Sequence, residues 1–330
     1  MARDKRSAGL AAAAAFLLLS VLLALRLGAE NLATGELLRG LAGADSVGGR
    51  ILRHVRLPRA LATVLAGAGF SVSGVLIQSV LQNPLAGPGV IGVNAGAGLL
   101  TAAAMAFLPG SAPILAGAAF LGALLTVLLV FGLARRAGAS KLTVVLSGVA
   151  VGSLMTAGVQ SLATLYPHIL VGMRDFQIGG FSGVSMKALL PAGALILAGL
   201  ALSLRFAGEL EVLGLGDETA RALGLAARRW RFFFLVLASA LAGASVSFAG
   251  LIGFVGLITP HAARLLFPGA GKRVLLSASG LMGAAFLTLC DAAARTAFAP
   301  FELPVGILVS FMGAPFFLWL IYRERRRRHD

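Results

Sequence analysis

The 330-residue chain is short of charge. Asp, Glu, Lys and Arg make up 12% of it, about half of what a soluble globular protein carries. Too few charged side chains remain to cover a water-facing surface, which excludes a soluble enzyme. Disorder is excluded as well, because 58% of the residues are apolar and the mean hydropathy is +0.92. A single cysteine, Cys290, rules out an internal disulfide and a cysteine-based metal centre. No P-loop is present: GAGKR at 269–273 lacks the G-x-x-x-x-G-K-[ST] spacing that cradles phosphate, so the chain is not expected to hydrolyse ATP. No histidine cluster suggests a metal, and His261 after Pro260 is expected to be a structural residue at a helix start. Carboxylates are nearly missing from the apolar stretches. Only Asp291 qualifies, and Arg295 four residues on can pair with it on one helix face. That arrangement reads as a helix-end ion pair before a proton relay. Ion-coupled carriers need intramembrane carboxylates, so energy for transport comes from elsewhere, or the chain is a passive channel.

Long apolar runs are what the chain has instead. After the basic start MARDKRSAG, the first runs from Leu10 to about Leu25. It resembles a signal peptide, but further apolar runs follow and no polar domain does. Nine more segments can be marked, at 60–81, 90–108, 112–134, 142–166, 187–207, 230–249, 250–267, 274–299 and 303–322. At about 20 residues per span, the expected fold is an all-α integral membrane protein of about ten transmembrane helices, one polytopic domain over 1–330. An even number of spans puts both termini on one side.

The net charge of +15 tests this layout. With a cytoplasmic N-terminus, 19 of the 28 basic residues fall inside and nine outside, the bias that the positive-inside rule requires. The tail RERRRRH is then a cytoplasmic anchor, and no nucleic acid is expected. One outside region breaks the bias, with Arg39, Arg50, Arg53, Arg56 and Arg59 ahead of the second segment. It is either a solvated or snorkelling loop or a basic patch facing an acidic partner.

Glycine is abundant, with 43 residues, many inside the apolar runs. Small residues let helix backbones approach closely in lipid. Residues 65–86 and 241–262 align without gaps at 9 of 22 positions, pairing Gly74 with Gly250 and Pro84 with Pro260. The copies lie five segments apart, so they would be inverted in the membrane, as in transporters that alternate access. Between the sixth and seventh segments, ELEVLGLGDETARALGLAARRW (209–230) is too polar to span. Its glycines divide it into short helices, with Asp217, Glu218 and Thr219 at a helix start. It lies either in the interface or against a cytoplasmic partner.

Together these stretches resemble a known family. The run RLPRALATVLAGAGFSVSGVLIQSVLQNPLAGPGVIGVNAGA (56–97) is similar to the opening signature of the FecCD-type permeases. The likeness continues in LEVLGLGDETARALGL (210–225), GLIGFVGLITPHAARLL (250–266) and FELPVGILVSFMGAPFFLWLI (301–321). Those proteins are membrane subunits of ABC importers for iron–siderophore complexes, haem and cobalamin. The resemblance implies a type II importer permease fold and an iron-chelate cargo, with cobalamin as the alternative and an ATPase-independent carrier or channel behind it. Implied partners are a second permease copy, two cytoplasmic ATPases and a periplasmic or lipid-anchored binding protein. The chain itself would bind no cofactor and no metal; ATP and Mg would belong to the ATPase. The implied location is the bacterial cytoplasmic membrane, with both termini inside.

The resemblance also assigns residues. Arg56, Arg59 and Arg295 would meet acidic groups of the binding protein. Within a coupling segment at 209–229, Leu215, Gly216, Asp217, Glu218, Thr219, Ala220, Arg221, Leu223, Gly224 and Leu225 would contact the ATPase. Gly138, Ala139, Ser140 and Lys141 would form a cytoplasmic gate region. Asn83, Pro84, Pro260, His261, Pro304, Gly306, Gly313 and Pro315 would be structural. Gly87 and the trio Gly271, Lys272 and Arg273 depart from the family pattern. Arg174, Asp175 and Gln177 would either touch cargo or binding protein or be solvated loop residues.

Overall fold

The computed structural model describes residues 2–28, 35, 46–136, 138, 140–299 and 301–326, and no strand occurs among them. Thirteen helices carry the argument. They are α1 (Ala2–Arg26), α2 (Val47–Leu81, π-helical over Leu52–Arg56), α3 (Val93–Phe107), α4 (Ala112–Arg136), α5 (Lys141–Leu165), α6 (Leu170–Ile178), α7 (Met186–Arg205), α8 (Ala207–Gly214), α9 (Asp217–Ala222), α10 (Ala227–Ala249), α11 (Val255–Leu266), α12 (Lys272–Thr296) and α13 (Val305–Arg326). Among the described residues, seven of these, α1, α2, α4, α5, α7, α10 and α12, are long and apolar enough to cross a membrane. Each of the ten expected segments contains a helix, but α3, α11 and α13 fall short on length or apolar extent.

Helix α2 forms the centre. It packs against α7, α10, α11 and α12, and nearly its whole second half is buried. Glycine makes this density possible. A Cβ at Gly74 would lie 2.0 Å from the Gly256 carbonyl oxygen, and one at Gly67 would lie 2.3 Å from that of Gly283. Close backbone contact replaces the hydrophobic drive that lipid cannot supply. A bulky residue at Gly74 would force α2 and α11 apart, and overpacking of this kind costs about 1–3 kcal/mol or more. Helix α3 packs between α4 and α5, α4 joins that layer to α10, and α1 lies along α12.

Two expectations are corrected here. The segment 250–267 is not one helix: residues 250–254 are unwound, with Gly250 at φ +69° and Phe254 at φ +60°, and α11 starts at Val255. His261 is therefore in a helix interior rather than at a helix start, with its ring edge-on to Phe316 at 5.8 Å. The aligned copies 65–86 and 241–262 also differ locally. Residues 74–78 continue α2, whereas the aligned 250–254 leave the helix. A Cβ at Gly250 would stand 2.6 Å from the Phe176 carbonyl oxygen, and the Leu251 N–H donates to that same oxygen at 2.9 Å, so the unwound backbone pairs closely with α6.

Candidate functional site

Two clusters at opposite ends of the bundle, with a polar wall between them, carry the candidate chemistry. The first gathers where α1 ends. Arg56 Nη1 donates to the carbonyls of Leu25 and Arg26, both at 2.8 Å, and Arg295 Nη2 donates to that of Ala24 at 3.1 Å. These acceptors lack intrahelical partners and form the negative end of the helix dipole. Between the arginines sits Asp291, 1% exposed. Arg59 donates to it from Nε and Nη2 at 3.0–3.2 Å, and Arg295 Nε lies 3.2 Å from it. Arg59 Nη1 also reaches Glu302, just ahead of α13, at 2.8 Å.

The structure brings these three arginines together, and Asp291 with Arg295 forms the expected helix-end pair. They do not form an exposed patch. Arg56, Arg59 and Arg295 are 5%, 7% and 6% exposed. Their own carboxylates and carbonyls hold them inward, because a guanidinium sunk among helices needs an acceptor for each N–H. Glu302, whose side chain is 43% exposed, was missed; the only signal for it was a lone carboxylate in FELPVG. Arg50 is exposed and Arg53 half-buried, while Arg39 lies outside the described residues.

A cavity of about 640 Å³ opens along α5, where Ser153, Thr156 and Gln160 face Asn94 of α3 and Gln177 of α6. Among the described residues, none that lines it is charged. The 153/156/160 spacing repeats one helix face, a signal the apolar count obscured. Gln177 and Leu251 also border a second cavity of about 590 Å³ against Ser310, Phe311 and Pro315 of α13. Asp175 lines a third, of about 500 Å³, with Arg59, Glu302 and Pro304. Arg174 is exposed and lines none of these three. Gly306 and Gly313 let α13 close on its neighbours, since a Cβ would stand 1.8 Å from the Ile178 carbonyl oxygen and 2.3 Å from the Phe254 ring, respectively. Pro260 is buried inside α11.

The second cluster joins the end of α2, the start of α5 and the segment α8–α9. Gln82 caps α2 in the left-handed region, at φ +50°, a conformation few non-glycine residues adopt. Its side chain accepts from Lys141 Nζ and donates to the Gly214 carbonyl at 3.1 Å. One amide thus touches both the start of α5 and the end of α8. Gln82 was missed; its only mark in the sequence is its place before NPLA. Asn83 Oδ1 accepts from the Leu85 N–H at 2.9 Å, which sets the turn through Pro84. Ser140 caps α5 by accepting from the Thr143 N–H, Gly138 turns the chain at φ +95°, and Ala139 lies outside the described residues.

The segment 209–229 forms two short helices, α8 and α9, broken at Gly216 (φ +113°), with a further turn at Gly224 (φ +79°). Leu210, Leu213 and Ala220 face inward. Asp217 begins α9 and accepts from the buried Arg231, whose hydrogen bond holds the carboxyl below the usual carboxylate range. Glu218, Thr219 and Arg221 are exposed. Leu215 and Leu223 stand out at 61% and 63% exposed, while Leu225 is half-buried against the core.

Residues 16–323 match the FecCD transport family. The chain belongs to that family. Among FecCD relatives, an Fe(3+)-citrate import system permease, YfmE, of Bacillus subtilis is 36% identical over 318 residues, covering 96% of this chain and 95% of that one. A hemin transport system permease, HmuU, of Yersinia pestis is 38% identical over 283 residues, covering 83% and 84%. A solved inward-facing ABC transporter of metal-chelate type superposes with a TM-score of 0.85 at 29% identity, over 95% of this chain and 98% of that one. The chain is thus a multi-pass membrane permease subunit of the ABC importer class, not an enzyme in its own right. FecCD membership accounts for the motif series on which the resemblance rested.

Proposed function

We propose that the chain is the translocating subunit of a binding-protein-dependent importer that carries an iron chelate, a ferric siderophore or haem, into the cytoplasm. It works with a second permease copy, two cytoplasmic ATPase subunits and a soluble or lipid-anchored binding protein. Its place is the bacterial cytoplasmic membrane, with both termini and the Lys141 end inside, which turns the Arg59 end outward. The chain holds no cofactor; ATP and Mg are used by the partner. The observation that carries this reading is the pair Leu215 and Leu223. They are solvent-facing apolar side chains on a segment whose other face is buried, the pattern of a contact surface for another protein. The uncharged wall of α5 fits a large chelate that must pass without being held.

The binding protein meets the Arg59 end by exchange of carboxylates. Glu302 is the most exposed member of that cluster, so an incoming acidic side chain would displace it from Arg59 and inherit the ion pair. Copurification with the neighbouring subunits followed by proteoliposome uptake tests the whole reading. ATP-dependent uptake of the chelate retained by the binding protein is expected. Uptake without any ATPase subunit would point instead to a secondary carrier or channel, and retained cobalamin would change the cargo.

A further inference from the structure

Most of α1 is exposed, yet part of it borders a cavity of about 770 Å³. Ala12, Ala13 and Phe16 form one wall, and Ala262 of α11 with Met282 and Phe286 of α12 form the others. The sequence explains the gap. Residues 11–15 are consecutive alanines, so α1 rests on α12 without side chains long enough to reach α11. Toward the start of α1 the groove narrows. A Cβ at Gly9 would come within 2.6 Å of the Phe267 ring, and Arg6, at that end of the groove, donates to the Gly269 carbonyl at 2.9 Å. Among the described residues, Arg6 is the only charged one in the lining.

Length and charge select the occupant. Arg6 lies four residues ahead of the apolar run that starts at Leu10, which puts it at the polar boundary of the membrane. From Leu10 to Phe16 the helix advances about 9 Å, roughly a third of a hydrocarbon core of about 30 Å. The groove therefore descends from one interface toward the bilayer midplane, the path of an acyl chain in that leaflet. A guanidinium at its mouth matches a phosphate and attracts a net negative headgroup. We propose that this groove is a phospholipid site, holding one acyl chain of an anionic lipid with the lipid phosphate on Arg6. The chain supplies the packing that the alanines withhold and ties α1 to α11.

The full-length protein is reconstituted in nanodiscs of phosphatidylcholine and phosphatidylglycerol in equal parts, re-extracted into detergent and weighed by native mass spectrometry. One phosphatidylglycerol is expected to remain per chain, with phosphatidylcholine retained about fivefold less, because both lipids offer Arg6 a phosphate and only phosphatidylglycerol adds a net negative charge. Arg6→Glu should abolish the preference, and Ala13→Phe should expel both lipids by filling the groove. Arg6→Gln leaves the walls untouched and keeps the test decisive where Ala13→Phe fails to fold; it should narrow the preference. Equal retention of the two lipids, retention of neither, or an unchanged preference in Arg6→Glu would overturn the proposal.

Discussion

The two ends of the bundle use charge in opposite ways. At the Arg59 end, three arginines are buried and held by two carboxylates and by the carbonyls that end α1. At the Lys141 end, the polar contacts are near the surface: the Asp217 side chain is 30% exposed, and two leucines, Leu215 and Leu223, project outward beside the exposed Glu218, Thr219 and Arg221. The difference follows from solvation. A buried ion pair that loses one member leaves a stranded charge and costs about 3–5 kcal/mol, whereas an exposed pair is worth about 0–1 kcal/mol. One end is therefore built for integrity and yields to a partner only by exchange, while the other can be covered and uncovered readily.

The strongest way to break this comparison is Asp291→Ala. It leaves the buried Arg295 without a carboxylate and Arg59 with Glu302 alone, and thermal unfolding of the purified chain should show a loss of about 3–5 kcal/mol. A loss under about 1 kcal/mol would mean that the two ends do not differ in kind. Next comes Leu215→Asp with Leu223→Asp. The fold should survive because both side chains face solvent, but each change should remove about 2 kcal/mol or more of ATPase docking, the scale of an interface anchor. Pull-down and uptake assays check this; unaltered uptake would show that α8–α9 is not the coupling surface. Leu225 is unsuited to the test, since its partly buried side chain would confound folding with docking.

A finer probe is Gln82→Ala, which frees Lys141 and the Gly214 carbonyl from their shared partner. Stability should change by about 1 kcal/mol, while transported cargo per ATP hydrolysed should fall. A proportional fall in ATPase activity and uptake would reduce Gln82 to a helix cap. The smallest stability effect is expected for Glu302→Gln, under about 1 kcal/mol. Binding-protein affinity should rise in that variant, because Arg59 is released for an incoming carboxylate. A drop in affinity would instead make Glu302 part of the docking surface.

Much of the fold was legible because hydropathy is local. Ten apolar segments, the polar insert at 209–229 and the breaks at Gly216 and Gly224 all follow from residues near one another in the chain. The unwound stretch at 250–254 was not legible, because the Phe176 carbonyl that its backbone pairs with comes from a distant segment. The α5 wall was only partly so: Ser153, Thr156 and Gln160 share a face by spacing, but nothing local says that this face opens on a cavity.

The sequence by itself determined that this is a membrane protein, that it carries no ATPase site, that its basic residues are unevenly distributed and that its motif series belongs to one family. Composition suffices for the first and third, since each depends on the chain's exchange with lipid and water rather than on its contacts with itself; the second and fourth rest on motifs, matched or missing residue by residue. Only the tertiary structure decided that Arg56, Arg59 and Arg295 face inward, that Glu302 pairs with Arg59, and that Gln82 bridges Lys141 and the Gly214 carbonyl. Those outcomes depend on which carboxylate or carbonyl a folded neighbour brings within about 3 Å, and no local pattern of residues encodes that distance.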